Sequence, residues 1–278
     1  MKVWVKALLL CAISVAANAA EVVLHGPLTQ GSLIRGQAPM GAQVWFNEQP
    51  VVVSAQGQFV FGIGRDAALQ HQLKVVHQGK QQQFPLRFTA REYDIQRITG
   101  VEQKYVAPPK EVSARIANDN AKVRQVRTTL SELDAIFSTP VRPAAGRISG
   151  VYGSQRVFNG QPRNPHFGLD IAAPVGAPVL APWPGKVLLA EDLYFSGLTV
   201  IVDHGFGVSS TFMHLNAIKV KVGDTVAQSQ HIADIGATGR VTGPHLDWRI
   251  NWFQERLDPQ LLLPEFTPNQ TQRLALTP

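Results

Sequence analysis

Residues 245–252 read His-Leu-Asp-Trp-Arg-Ile-Asn-Trp, and polar and apolar side chains alternate along the whole stretch. A period of two is typical of a β-strand that buries one face in a core. Residues two apart on a strand point the same way, so one face is polar throughout. That polar face carries His245, Asp247, Arg249 and Asn251. The stretch therefore predicts a half-buried strand with an imidazole and a carboxylate side by side.

A second stretch, Pro-His-Phe-Gly-Leu-Asp at residues 165–170, offers another imidazole and another carboxylate. On a regular strand, His166 and Asp170 would lie roughly 13 Å apart, which is too far to share one ion. A helix would bring them together, but Gly168 and Pro174 disfavour a helix here. We therefore expect a bent segment, with Gly168 allowing the bend, in which both side chains reach a common point.

His214 completes a set of three imidazoles and two carboxylates. Because it lies between the apolar Met213 and Leu215, it would on its own be typical of a core histidine. A catalytic zinc takes three nitrogen or oxygen ligands from the protein and keeps a position for water. Two groups are then left to handle protons and developing charge. By chemistry alone, His245 and Asp247 could exchange these roles, since both face the same way.

Several motifs follow one another in a specific order and spacing. They are His166-x-x-x-Asp170, Ala-Ala-Pro-Val-Gly-Ala-Pro-Val at 172–179, Gly-Lys-Val at 185–187, Val-Asp-His-Gly at 202–205, Met-His-Leu at 213–215, Lys-Val-Gly-Asp at 221–224, and Thr-Gly-x-x-Thr-Gly-Pro-His at 238–245. In these motifs the region from about Gly146 to Pro264 resembles the lysostaphin-type (LytM-like) zinc metalloendopeptidases. The resemblance implies a secreted zinc enzyme that cuts cross-links or stem peptides of bacterial peptidoglycan.

The resemblance also implies a role for each candidate residue. The zinc ligands would be His166, Asp170 and Asp247, and the catalytic residues would be His214 and His245. The family usually has a second histidine at the position of Asp247, which is the one departure from its pattern. A set with two carboxylates would make the metal less electrophilic, and would favour slower turnover or a harder metal such as manganese.

Two further residues of the polar face, Arg249 and Asn251, are predicted to bind substrate. A contact to a metal ligand and a solvated strand face are the other interpretations of this pair. The departure at Asp247 also keeps a second function open. In that alternative the chain is a catalytically impaired peptidase-like protein that binds the cell wall and activates an amidase.

The sequence predicts a mostly β fold. It comprises a small N-terminal immunoglobulin-like β-sandwich, a helical linker, and a C-terminal two-sheet antiparallel β metallopeptidase domain. An apolar stripe at steps of three, four or seven residues predicts one helix from Glu111 to Phe137. The expected segments are a signal peptide at 1–19, the sandwich at 20–100, the linker and helix at 101–140, the peptidase domain at 141–265 and a tail of little pattern at 266–278.

The first residues are typical of a secretory signal. Lys2 and Lys6 precede a short apolar run, and Ala17-Asn18-Ala19 fits a cleavage site. The run is too short to span a bilayer, so we expect a periplasmic or secreted protein with no transmembrane anchor. Cys11 is the one cysteine of the sequence, and the mature chain would therefore have no thiol to bind metal.

The net charge is +6 over 278 residues, and 45% of the residues are hydrophobic. This composition is typical of packed globular domains, and the length suits about two of them. The small positive excess would suit an anionic envelope polymer such as peptidoglycan, although an ordinary solvated surface explains it equally well. No basic run is long enough to predict binding to nucleic acid.

Overall fold

The computed structural model describes residues 20–98, 110–158, 160–267 and 270–277. The predicted signal peptide at 1–19 lies outside the described residues. Within them, strands dominate and one α-helix is present, which confirms the mostly β fold. No helix of the described residues is long and apolar enough to cross a membrane.

The N-terminal part is a β-sandwich, as predicted. Its strands are β1 (Glu21–His25), β2 (Leu33–Gln37), β3 (Gln43–Phe46), β4 (Gln49–Val51), β5 (Gln58–Gly62), β6 (Gln70–His77) and β7 (Lys80–Arg87). One sheet contains β1, β2 and β5, and the other has the order β4-β3-β6-β7. Phe46 and Phe61 stack between the two sheets with ring centroids 4.3 Å apart, so the sheets share one apolar core.

The C-terminal part is built on a network of ten antiparallel strands with three more strands beside it. The bounds are β8 (Ile95–Ile98), β9 (Arg147–Gly150), β10 (Gln155–Phe158), β11 (Gln161–Pro162), β12 (Leu169–Ala172), β13 (Pro178–Leu180), β14 (Gly185–Leu193), β15 (Gly197–Gly205), β16 (Val208–Ile218), β17 (Thr225–Val226), β18 (His231–Ile235), β19 (His245–Trp252) and β20 (Glu255–Leu257). The main order is β17-β14-β15-β16-β19-β12-β9, and β13, β18 and β20 pair off this path. Strands β8, β10 and β11 form a separate three-stranded sheet.

The quoted stretch at 245–252 is strand β19, near the middle of the network. Its apolar residues Leu246, Trp248 and Ile250 are fully buried in the main core, as their alternation predicts. The polar face is less exposed than the pattern suggests, because Asp247 and Asn251 are buried as well. A charged residue is almost never buried without a partner. The structure therefore has to provide a compensating group for Asp247.

The helix is shorter than the apolar stripe predicts. A 3₁₀ turn at Lys110–Val112 leads into helix α1 (Ser113–Val126), and only a second 3₁₀ turn at Ala135–Phe137 follows. Thr128 and Thr129, β-branched residues of lower helix propensity, come directly after the end of the helix. The backbone there bonds elsewhere, because the Ser131 carbonyl accepts a hydrogen bond from the Phe206 amide at 3.0 Å. These contacts replace the predicted final turns.

Helix α1 packs against the C-terminal part of the chain. Val123 and Val126 contact a small cluster formed by Leu189, Leu193 and Ile201. Leu130 and Leu133, which the stripe places on the same helical face, are instead exposed beyond the end of the helix.

The tail also differs from the expectation. Residues Thr271–Ala275 form a strand, β21, which pairs antiparallel with β1 and extends the first sheet of the sandwich. Polar and charged residues at Thr271, Gln272 and Arg273 hid this strand from the sequence pattern, since it is an edge strand with little apolar alternation. Residues 271–275 are thus part of the N-terminal sandwich. The predicted domain boundaries themselves stay a prediction.

Candidate metal centre and active site

Strand pairing brings the two predicted carboxylates together. Strands β12 and β19 run antiparallel, and Asp170 lies directly opposite Asp247. His166 precedes β12 in an irregular segment, which agrees with the bend that its spacing predicts. One ligand atom from each of these residues lies within 4.8 Å of the others. The three residues that the sequence predicted as ligands therefore form a compact set.

Two glycines make room for the carboxylates. A Cβ at Gly168 would lie 2.1 Å from Asp247 Oδ1, and a Cβ at Gly150 would lie 2.2 Å from Asp170 Oδ2. Both distances are far below van der Waals contact, so any side chain at either position would displace a carboxylate. Gly168 was expected to permit the bend, but its close approach to Asp247 is the constraint that the structure shows.

The imidazole of His166 is oriented by the backbone. Its Nδ1 lies 3.1 Å from the carbonyl oxygen of Val151. A carbonyl only accepts hydrogen bonds, so Nδ1 carries a hydrogen and Nε2 presents its lone pair in the neutral ring. Nε2 lies 3.0 Å from Asp170 Oδ1 and 3.4 Å from Asp247 Oδ2.

The residues present fit a zinc ion. Although His166 Nε2 and Asp170 Oδ1 are close, they are misaligned, and within the described part of the chain neither has a hydrogen-bond partner. Buried polar atoms without partners are costly, roughly 1–3 kcal/mol each. One imidazole nitrogen and two carboxylates form a donor set that zinc accepts. A cation among these atoms would satisfy all of them.

The two carboxylates also favour a proton on His166. Burial disfavours the imidazolium of His166, but the carboxylates of Asp170 and Asp247 outweigh burial and raise its pKa to about 10. A cation must displace this proton to bind Nε2.

Asp247 has a second charged partner on its own strand. Arg249 donates from Nε to Asp247 Oδ1 at 3.0 Å and from Nη2 to Oδ2 at 2.6 Å. Burial would raise the pKa of Asp247, but Arg249 and His166 hold it well below its usual range. Asp247 is therefore a carboxylate. The predicted substrate-binding role of Arg249 stays a prediction, and the structure shows its contact with Asp247 instead.

Asn251, the other predicted substrate-binding residue, is 1% exposed. Its Nδ2 donates to the carbonyl oxygen of Glu255 at 3.1 Å, which ties β19 to β20. Its substrate-binding role also stays a prediction, and this burial counts against direct contact with a substrate.

His214 and His245 lie beside the ligand set, with ring centroids 5.0 Å apart. Each uses Nδ1 to donate to a backbone carbonyl at 2.9 Å, His214 to Thr238 and His245 to Gly243. Nε2 is therefore the basic nitrogen of each neutral ring. His245 Nε2 lies 3.8 Å from Asp170 Oδ1, so this nitrogen reaches the edge of the proposed metal site.

The backbone at His214 is unusual. Its φ is +64°, in the left-handed region that residues other than glycine adopt only uncommonly. Such conformations persist only where the surroundings fix them, and they are frequent at active sites. Burial lowers the pKa of His214, so the ring is neutral at pH 7 and can accept a proton.

Thr238, which the sequence marks only as the first residue of a motif, makes several contacts at the site. Besides the carbonyl contact with His214, its Oγ1 donates to the Leu215 carbonyl at 2.8 Å and accepts from the Leu198 amide at 3.0 Å. Thr238 thus holds the loop against strands β15 and β16, beside the candidate catalytic residue His214. Its position at the start of the Thr-Gly-x-x-Thr-Gly-Pro-His motif was the one available signal.

The two other histidines of the motif region, His204 and His231, have protein partners of their own. His204 is fully buried, with Nδ1 2.9 Å from the Pro184 carbonyl and Nε2 2.8 Å from Ser210 Oγ. His231 is 2.7 Å from Asp234 at the surface. Both lie outside the set of three ligands.

Part of this chain is similar to known peptidases. The sequence model described as Peptidase family M23 matches residues 164–259. The chain is 34% identical over 141 residues to the peptidoglycan DD-endopeptidase ShyB of Vibrio cholerae, covering 50% of this chain and 33% of that protein. It is 35% identical over 108 residues to the DD-carboxypeptidase/endopeptidase Mpg of Neisseria gonorrhoeae, covering 38% of this chain and 24% of that protein. The chain thus spans a third or less of the length of these relatives.

A solved structure extends the likeness beyond the matched segment. The crystal structure of a peptidase M23 protein from Pseudomonas aeruginosa has a TM-score of 0.66 and 27% identity, and covers 85% of this chain and 95% of that one. Coverage of 85% of this chain extends well beyond the segment 164–259. The resemblance to the lysostaphin-type family is confirmed, and the chain contains a peptidase family M23 domain.

Proposed function

We propose that this chain, which contains a peptidase family M23 domain, is a zinc-dependent endopeptidase that hydrolyses peptide cross-links or stem peptides of bacterial peptidoglycan. The convergence of His166, Asp170 and Asp247, with two further histidines beside them, is the observation that carries the proposal. The name of the relative ShyB, a peptidoglycan DD-endopeptidase, supports the choice of substrate. The second relative, Mpg, is a DD-carboxypeptidase/endopeptidase, which supports the choice of reaction.

Zinc would be held by His166 Nε2 and one oxygen each from Asp170 and Asp247. When bound, it supplies a Lewis acid that lowers the pKa of a water molecule and polarises the scissile carbonyl. Asp170 and His166 are each about one-fifth exposed, so the site is open to a substrate at the surface. That degree of exposure suits a polymeric substrate better than a deep pocket would.

His214 and His245 would handle protons on either side of the reacting carbonyl. Each holds its Nδ1 hydrogen against a backbone carbonyl, so Nε2 is the atom that accepts and later donates a proton. The neutral state of His214, which burial favours, suits a proton acceptor at pH 7. The imidazolium that then forms would stabilise negative charge on the carbonyl oxygen.

The place of action follows from the same proposal. A signal peptide at residues 1–19 would deliver the mature chain to the periplasm or the exterior, where peptidoglycan lies. The small net positive charge, +6 over the sequence, would favour contact with an anionic polymer.

The test measures metal and activity together. We expect the purified full chain to bind about one zinc per molecule and to release peptides from isolated sacculi. We expect His166→Ala to abolish both, and His231→Ala, which removes an exposed histidine outside the site, to change neither. Thermal unfolding of both variants checks that they fold. Absence of zinc binding by the parent chain, or peptide release by folded His166→Ala, would refute the proposal.

The second candidate function rests on Asp247, which stands where the family usually has histidine. In that case the chain binds the cell wall and activates an amidase without hydrolysing peptides itself. The observation expected then is that metal-free protein stimulates an amidase as strongly as zinc-loaded protein does, while neither form releases peptides from sacculi.

A further inference from the structure

Asp247 is unusual among the proposed metal ligands because its carboxylate also pairs with the guanidinium of Arg249. The Arg249 side chain contacts both oxygens of the carboxylate, at 3.0 and 2.6 Å. In the described part of the chain this is the one ion pair that Arg249 forms. Planar, two-point contact of this kind fixes the orientation of a carboxylate as well as balancing its charge.

The charges of the site can be compared with those of the usual ligand set. One carboxylate and two neutral imidazoles carry one negative charge, whereas His166, Asp170 and Asp247 carry two. The guanidinium of Arg249 offsets one of these. The total next to the metal is therefore again one negative charge, reached with different residues.

The surroundings of Arg249 make this pairing mutual. Burial, and then the positive charge of Arg249, lower the pKa of Arg127 to about 9 and also lower that of Arg256. Arg249 thus lies near two other guanidinium groups, and Asp247 is the carboxylate in direct contact with it. Removing Asp247 alone would leave an unpaired buried cation close to the metal, and removing Arg249 alone would leave a loosely held carboxylate.

We propose that Arg249 is a positioning residue of the metal site, which orients Asp247 and offsets its charge so that this carboxylate replaces the usual histidine. The proposal rests on the zinc site of the proposed function. It assigns Arg249 to the ligand rather than to the substrate. The effect of a substitution of Asp247 on zinc affinity then depends on the residue at position 249, and the reverse also holds.

The experiment is a double-mutant cycle read by zinc affinity. Parent, Asp247→His, Arg249→Gln and the double variant are purified as full chains, and the dissociation constant for Zn²⁺ is measured by competition with a chromogenic chelator. Although histidine is a good zinc ligand, we expect Asp247→His to weaken zinc binding about 10-fold or more. The reason is that Arg249 would then face an imidazole and would have lost the carboxylate with which it pairs. Adding Arg249→Gln should restore binding to within about 3-fold of the parent, while Arg249→Gln alone should not strengthen it.

Three controls keep the result interpretable. Arg249→Lys retains the charge but cannot span both oxygens, and should give an intermediate affinity. Asp247→Asn is nearly isosteric, and provides a second single variant if Asp247→His fails to fold. The Michaelis constant for a soluble peptidoglycan fragment separates the roles, because a substrate-binding Arg249 would raise that constant without changing zinc affinity.

The outcomes are distinct. Zinc binding by Asp247→His as tight as that of the parent, or equal effects of Arg249→Gln in both backgrounds, would overturn the role of Arg249 and leave the proposed function standing. No zinc binding by the parent would overturn both.

Discussion

Two buried histidines on neighbouring strands, His204 and His214, differ in how many of their ring nitrogens have protein partners. His204 on β15 has protein partners at both ring nitrogens, Pro184 and Ser210. Within the described part of the chain, His214 on β16 has a hydrogen bond only at Nδ1. Burial lowers the pKa of both. The difference shows that an uncommitted ring nitrogen, rather than burial or a shifted pKa, separates a candidate catalytic histidine from a structural one.

The largest expected effect is the loss of peptide release on substitution of His214. Asparagine is suited to the left-handed backbone there but cannot transfer a proton, so His214→Asn should lower the rate of peptide release about 10²–10⁴-fold. Zinc content and thermal stability should change little, because His214 is outside the ligand set. The matched variant His204→Gln should do the reverse, with lower thermal stability and retained activity at low temperature. Equal activity of the two variants would contradict the distinction.

The next effect concerns acid stability. Burial lowers the pKa of His204 from 6.5 to about 4. Between these two pH values the imidazole is protonated in the unfolded chain but neutral in the folded protein. The contribution is fully present above pH 6.5 and is lost as the pH falls towards 4, by about 3 kcal/mol. The free energy of unfolding from urea titrations at pH 7 and pH 4.5 measures it. His204→Gln should show a smaller difference between the two pH values. The same pH dependence in parent and variant would count against His204 as the source.

The smallest effects come from the partners of the two histidines. Thr238→Val removes the Oγ1 contacts with Leu215 and Leu198, and should lower both the stability, by about 1–2 kcal/mol, and the rate of peptide release. Ser210→Ala removes the partner of His204, and should cost about 1–2 kcal/mol of stability with no change in rate. Urea unfolding and initial rates on sacculi separate the two. A lower rate for Ser210→Ala would show that His204 influences the site after all.

Much of the site was predictable because its residues obey local rules. The alternation of β19 placed Asp247 and His245 on one face, and the bend before β12 followed from the spacing of His166 and Asp170. The pairing of Arg249 with Asp247 follows the same alternation, since residues two apart share a face. The sequence instead predicted substrate binding for Arg249 and left a contact with a metal ligand as one alternative, because a sequence does not show whether such a face is solvated or buried.

Long-range contacts explain what the sequence did not predict. Helix α1 ends at Val126 because the backbone at Ser131 bonds to Phe206, a residue 75 positions further along the chain. Strand β21 has no apolar alternation of its own, and forms because β1 offers it a free edge. The left-handed backbone at His214 is likewise imposed by its neighbours. Each of these features depends on partners that only the folded chain brings together.

The pairing of β21 with β1 has a consequence for how the chain is put together. The polypeptide leaves the sandwich after β7 and returns to it at β21, so the intervening peptidase part is attached at two places. A part held by two connections cannot swing about a hinge as freely as one at the end of a single linker. Removing the peptidase part together with β21 would leave the edge of β1 unpaired, and removing strands β1 to β7 would leave β21 unpaired. The two parts are therefore best regarded as a single unit for expression, crystallisation and engineering.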